Sequence, residues 1–182
     1  EGDADADAVV VAIDPRRLPA LATYVEKTMP AIPPVVAHLG LEGDVPDLAH
    51  DVVFNDEPTI KVRPGGKAPE GGTAWTLHGR GKIAEDMTVA LARHGIDIRD
   101  NIVTRVDLTP RQLVEDWNGS PMGVLWQGRG TVRARLGPYT PIDGVYAAGA
   151  HAAPGAGVPF VTQSAALVAQ AIGPAQSATK AP

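Results

Sequence analysis

The stretch that most limits the fold is Gly144-Val-Tyr-Ala-Ala-Gly149-Ala-His151-Ala-Ala-Pro154-Gly155-Ala-Gly157-Val-Pro159-Phe160-Val-Thr-Gln-Ser164. A short apolar run predicts a strand, the glycines and Pro154 predict a loop, and the Ala-rich run from about Pro159 to Ile172 predicts a helix. This order belongs to an α/β sheet, where ligands lie beyond the carboxyl ends of strands and free N–H groups at a helix start favour an anion. Gly149, Gly155 and Gly157 have no Cβ to hold a planar or phosphate-bearing ligand away. Pro159 has no N–H to lose at the first turn.

The beginning of the chain carries the matching signal. Ala8 to Ile13 is an unbroken apolar run and predicts a strand buried on both faces, as in a parallel sheet. Asp14-Pro15 then predicts a capped helix to about Lys27, with Pro19 limiting its regularity. Between the ends, β-prone runs at 35–41, 52–54, 59–62, 73–78 and 101–108 are separated by Pro and Gly. Ile83, Met87, Ala90, Leu91 and His94 recur at helical spacing up to Gly95, and Thr109-Pro110 opens a short helix to Trp117. Arg129, Arg133 and Arg135 alternate as on one face of a strand, within the Gly-rich stretch 119–137. The tail from Gly173 reads as frayed. The sequence thus predicts an α+β block inserted into one α/β domain.

Composition narrows the function. With 44% hydrophobic and 20% charged residues in 182, the chain is globular. A net charge of −5 offers no broad basic surface, so nucleic acid is not expected as a partner. Zero cysteines remove disulfides, thiolate zinc and thiol catalysis. His38, His50, His78 and His94 lack metal-ligand spacing, and Asp3, Asp5 and Asp7 run into Ala8 where a calcium loop requires Gly, so no metal is expected. Ser120 and Ser164 have no Gly-x-Ser-x-Gly elbow, which argues against a hydrolase. No stretch reaches the roughly 18 apolar residues of a membrane span, and Glu1-Gly2-Asp3 is no leader. The expectation is a cytoplasmic protein, with peripheral membrane contact left open. The start at Glu1, a few residues before an apolar strand, predicts a fragment of a longer protein.

Pro154-Gly155-Ala156-Gly157-Val158-Pro159, with Ala148-Gly149 before it and a small-residue helix after it, resembles the end of bacterial-type phytoene desaturases and related FAD-dependent dehydrogenases, position by position in the Pro-Gly-x-Gly-x-Pro loop. The resemblance extends through Thr109-Pro110, Gly119-Ser-Pro-Met-Gly123, Tyr139-Thr-Pro-Ile-Asp-Gly144 and Ala8 to Pro15, and is weak between Pro30 and Lys82. It implies the C-terminal part of a two-domain flavoprotein. Residues 1–15 would be a returning strand of a Rossmann-like FAD-binding domain, 16–140 an inserted α+β substrate domain, 141–173 the FAD-binding strand-loop-helix and 174–182 a tail. It further implies that Gly149, Ala150, Gly155, Gly157, Val158, Pro159 and Phe160 contact FAD. The N–H groups of Val158 and Phe160, with the helix dipole behind them, would stabilise charge near flavin N1 and the C2 carbonyl. An apolar, isoprenoid-like substrate would exchange hydride with the flavin.

Two departures qualify the resemblance. Ala150 stands where many flavin amine oxidases carry an acid, and no Gly-x-Gly-x-x-Gly follows the first strand; that pyrophosphate fingerprint is expected in an N-terminal portion that would be a partner of this chain. His151 is the one candidate for a catalytic side chain, although an isolated histidine is more often structural. Trp75, Trp117 and Trp126 are expected in the core ahead of a substrate tunnel. The alternatives are a non-catalytic lipid-binding or interaction domain, an FAD-dependent isomerase, and an amine-oxidase-like enzyme.

Overall fold

A computed structural model describes residues 5–174. Its elements are β1 (Val9–Val11), α1 (Pro19–Ala22), β2 (Val35–Glu42), β3 (Val52–Phe54), β4 (Thr59–Pro64), β5 (Gly72–Arg80), α2 (Met87–Arg93), β6 (Ile102–Leu108), α3 (Pro110–Asp116), α4 (Arg129–Ala134), β7 (Val145–Ala147) and α5 (Val158–Ile172). The fold is mixed α/β, with one parallel two-stranded sheet and one antiparallel five-stranded sheet. The chain divides after Pro33 and after Gln112, so that Pro34–Gln112 form a middle unit and the two flanking segments an end unit.

The middle unit is the antiparallel sheet, ordered β3-β4-β5-β2-β6. Alternation sends Ala37, Leu39 and Leu41 of β2, Ile60 and Val62 of β4, and Trp75 and Leu77 of β5 to one face. There they are buried with Met87, Ala90 and Leu91 of α2 and with Ile98. Each such large side chain contributes about 1.5–3 kcal/mol through burial. Helix α2 starts where the Asp86 carboxylate accepts from Thr88 N at 2.8 Å and ends before Gly95, whose φ is +85°. Helix α3 begins with a reciprocal cap: Gln112 N donates to Thr109 Oγ1 (3.2 Å) and Thr109 N to Gln112 Oε1 (2.9 Å).

The end unit is built around the parallel pair β1–β7, in register Val9↔Val145 and Val11↔Ala147. Its core is Val11, Leu21, Val25, Leu136, Ala147 and Ala152. Several expectations are corrected here. Strand β1 is three residues long, and Val9 and Val10 are 48% and 46% exposed rather than buried on both faces, because β7 alone pairs with β1 among the described residues. The helix expected from Asp14 to Lys27 is broken into a 3₁₀ turn at Pro15–Arg17, α1 and a second turn at Thr23–Val25. Pro19, with no N–H for the helical ladder, starts a new segment.

The arginine run is likewise not a strand: Arg129 and Arg133 lie on α4, and Arg135 follows it in extended backbone. Trp75 is in the middle core, but Trp117 and Trp126 are exposed. Residues 16–33 and 113–140, assigned by the sequence to the inserted block, belong to the end unit, because Leu21, Val25 and Leu136 pack with the β1–β7 strands. The frayed tail and Asp3 fall largely or wholly outside the described residues.

Candidate functional site

The loop between β7 and α5 lies within the end unit, and its three glycines serve different purposes. A Cβ on Gly149 (φ +88°) would stand 3.4 Å from the Ala12 carbonyl oxygen, so this position accommodates the chain leaving β1. A Cβ on Gly155 (φ +138°) would come within 2.5 Å of Arg135 Nη1. Gly157 (φ +103°) is different: its Cβ would meet only Phe160 Cδ2, at 3.6 Å, and otherwise open space. Two of the glycines thus make room for the protein itself, and one leaves room for something else.

Gly157 is the N-cap of α5 and has no side-chain cap to occupy the first N–H groups. Val158 N–H makes no hydrogen bond among the described residues, and its side chain is 79% exposed. Phe160, half exposed, has already committed its N–H to Gly157 O at 3.0 Å. Of the two N–H groups the resemblance implied as donors, the structure therefore leaves that of Val158 free. Pro159 stands in the first turn, as expected. Ala150 is held by close backbone approach: a Cβ on Gly123 would collide with the Ala150 carbonyl.

Behind the loop lies a buried polar network that the sequence did not reveal. Arg135 donates from Nη1 to Pro154 O (2.7 Å) and from Nη2 to Val124 O (2.9 Å), while its Nε is buried without a partner. Ser164 Oγ accepts from Gly149 N at 3.2 Å, which fastens the start of the loop to α5. His151 is only 5% exposed. Its Nε2 lies 3.0 Å from the Ser120 carbonyl oxygen, an acceptor, so Nε2 carries the hydrogen in the neutral ring. Nδ1 then turns a lone pair toward Asp14 Oδ1 at 3.8 Å, without a hydrogen bond.

Burial pushes His151 below the ordinary histidine range, with Asp14 opposing that shift and Arg16 and Arg135 adding to it. Asp14 is in turn held by Arg16, whose Nε and Nη2 donate to Oδ2 and whose Nη1 donates to Thr28 O and Oγ1 at 2.9 and 2.7 Å. Gly119 completes the packing, since a Cβ there would come within 2.8 Å of His151 Nε2.

His151 therefore faces inward and shapes the loop from behind. The serines are equally committed: Ser120 Oγ accepts from Met122 N at 3.1 Å, and both Ser120 and Ser164 are buried. The only hint of this network in the sequence was the cluster Gly119-Ser120-Pro121-Met122-Gly123. Among the described residues, no three His, Asp or Glu side chains gather as a metal site, and no helix is long and apolar enough to cross a membrane. No family model matches the chain, and no curated protein matches it.

Proposed function

We propose that the chain is the C-terminal part of an FAD-dependent oxidoreductase of the phytoene desaturase/dehydrogenase-like kind. The observation that carries this reading is Gly157: a positive-φ glycine at the uncapped start of a 15-residue helix, at the end of the loop that follows a parallel strand, with open space where its side chain would be. An electron-rich edge of a planar ring fits such a place, because the free Val158 N–H and the helix dipole favour negative charge there. Gly157, Val158 and Phe160 would hold the flavin, while Gly149, Ala150, Gly155 and Pro159 shape the loop that presents them. Bound FAD would supply the hydride chemistry between an apolar, isoprenoid-like substrate and the flavin. This chain's residues orient the ring and exclude water. His151 acts as a positioning residue. The pyrophosphate fingerprint would come from the N-terminal partner portion, so the 182-residue chain alone should bind FAD weakly or not at all.

A matched pair of variants tests the reading in the protein that contains this chain. Gly157 and Gly173 both have positive φ and both face open space, at opposite ends of α5. Gly157→Val is expected to lower the flavin-to-protein absorbance ratio at least tenfold, whereas Gly173→Val, with the same backbone strain, should leave it unchanged. Full flavin occupancy in a folded Gly157→Val protein would reduce the loop to a plain connection. The second reading, a non-catalytic interaction or lipid-binding domain, draws on the exposed Trp117, Met122, Leu125 and Trp126. It gains if the intact protein purifies folded and without flavin.

A further inference from the structure

The core of the middle unit occupies one face of its sheet; the opposite face carries a groove of about 370 Å³. Because Ala37, Leu39 and Leu41 point to the core, His38 and Gly40 point to the groove side. Strand register then builds two rungs. Gly40 lies between Ala74 of β5 and Thr104 of β6, and His38 lies between Thr76 of β5 and Val106 of β6. One rung is thus a floor of very small side chains, and the next carries an imidazole.

Neighbour packing explains part of this floor. A Cβ on Gly40 would come within 2.5 Å of Thr104 Cγ2, so the close approach of β2 and β6 requires glycine. It does not explain Val103 and Val106, which stay exposed beside the floor, or an oriented histidine at its end. Thr76 Oγ1 lies 3.0 Å from His38 Nδ1, which fixes the ring and leaves Nε2 for another partner. If the threonine hydroxyl donates, Nε2 carries the hydrogen and is a donor on a ring that lines the groove.

Charge on this face favours an anion at the imidazole. Lys61 and Arg63 of β4 alternate with the buried Ile60 and Val62 and so share the open face, with Arg63 opposite Thr76 and Lys61 opposite His78. Asp51 pairs with both cations. One negative charge thus offsets two positive ones, and the groove lining itself holds one acid, Glu42, and one base, Lys67. The basicity of the neighbouring His78 is lowered first by burial and then by Arg63, Lys61 and His38, in keeping with a positive face. The volume is at the small end of the roughly 300–1,000 Å³ usual for ligand pockets, and suits one or two rings rather than a long chain.

We infer that this groove binds a flat, ring-containing carboxylate, with the ring over Gly40 and Ala74 between the valines and the carboxylate accepting from His38 Nε2. The site belongs to the middle unit by itself and does not depend on a bound flavin. Its test uses the 182-residue chain without FAD. Titrations with 2-naphthoate and with the neutral 2-naphthalenemethanol are followed by calorimetry and by amide and imidazole nitrogen NMR. Naphthoate should bind at least tenfold more tightly than the alcohol and shift the signals of His38, Gly40 and Thr104. His38→Ala should erase the difference between the two probes, and Ala74→Leu, which fills the floor, should weaken both while the sheet signals persist. Equal binding of the two probes, shifts confined to other residues, or binding indifferent to both substitutions would overturn the assignment.

Discussion

The two units solve the problem of burial differently. The middle unit hides its large apolar side chains in one continuous cluster, and Val53, Val103 and Val106 are its only exposed large hydrophobics among the described residues. The end unit has a smaller core and leaves Val9, Val10, Trp117, Trp126, Val158 and Phe160 facing out. Beside that core it uses buried and half-buried hydrogen bonds centred on Arg135, His151 and Asp14. A sheet with one sealed face is stable by area. The loop after β7 is instead held from behind by directional bonds and leaves Val158 and Phe160 exposed.

The largest expected effect tests the apolar half of this contrast. Leu77→Ala, at a fully buried position, should cost about 2–5 kcal/mol, while Val10→Ala on the exposed strand should cost about 0.5 kcal/mol or less. Urea midpoints read with Trp75 fluorescence, in a Trp117→Phe, Trp126→Phe background, and with circular dichroism measure both. Equal losses would erase the distinction between the units.

The next effect concerns the directional half. Arg135→Met keeps much of the apolar stem but leaves Pro154 O and Val124 O without their donor, at a cost of about 1–3 kcal/mol. Amide exchange should quicken at Ala153, whose N–H donates to Leu136 O, and remain slow in β5. Unchanged exchange at Ala153 would show that the loop does not rely on the guanidinium.

The smallest effect is a pH dependence that separates the units. His151 and His78 are both held below the usual histidine value chiefly by burial. For each, the unfolded chain takes up a proton at a higher pH than the folded one. The associated stability is therefore complete above about pH 6.5 and declines as pH falls through that value toward the folded-state one. His151→Gln should flatten the acid-side decline for probes in the end unit, and His78→Gln for probes in the middle unit. Midpoint temperatures between about pH 7.5 and 5, compared with residue-resolved exchange, give the slopes. A steeper decline in His151→Gln would reverse the sign argued here.

Local rules made much of this architecture readable. β-prone runs between Pro and Gly located β2 to β6, helical spacing ended by Gly95 located α2, Thr109-Pro110 opened α3, and the small-residue run after Pro159 became α5. What the residues concealed was tertiary. Arg129 and Arg133 satisfy a helical spacing of four as well as a strand spacing of two, and only the carbonyls awaiting Arg135 show why that chain segment turns inward. Gly149, Gly155 and Gly157 look alike in the sequence. They differ only in what stands opposite each missing Cβ. The Asp14–His151 approach joins residues too far apart in the chain for any local pattern to announce.

The pairing of Val9 with Val145 also sets an order of events. Strand β1 is synthesised long before β7, and cannot find its partner until all the residues between have been made. Val36 and Leu108 are cross-strand neighbours, so folding of the middle unit by itself would short-circuit the 71 residues between them. The loop that β1 and β7 must close then shrinks from 136 residues to roughly half that length, a saving of about 0.6 kcal/mol in closure entropy. A middle sheet formed first would thus shorten the search of β1 for β7, and the glycine loop after β7 would then take its shape last.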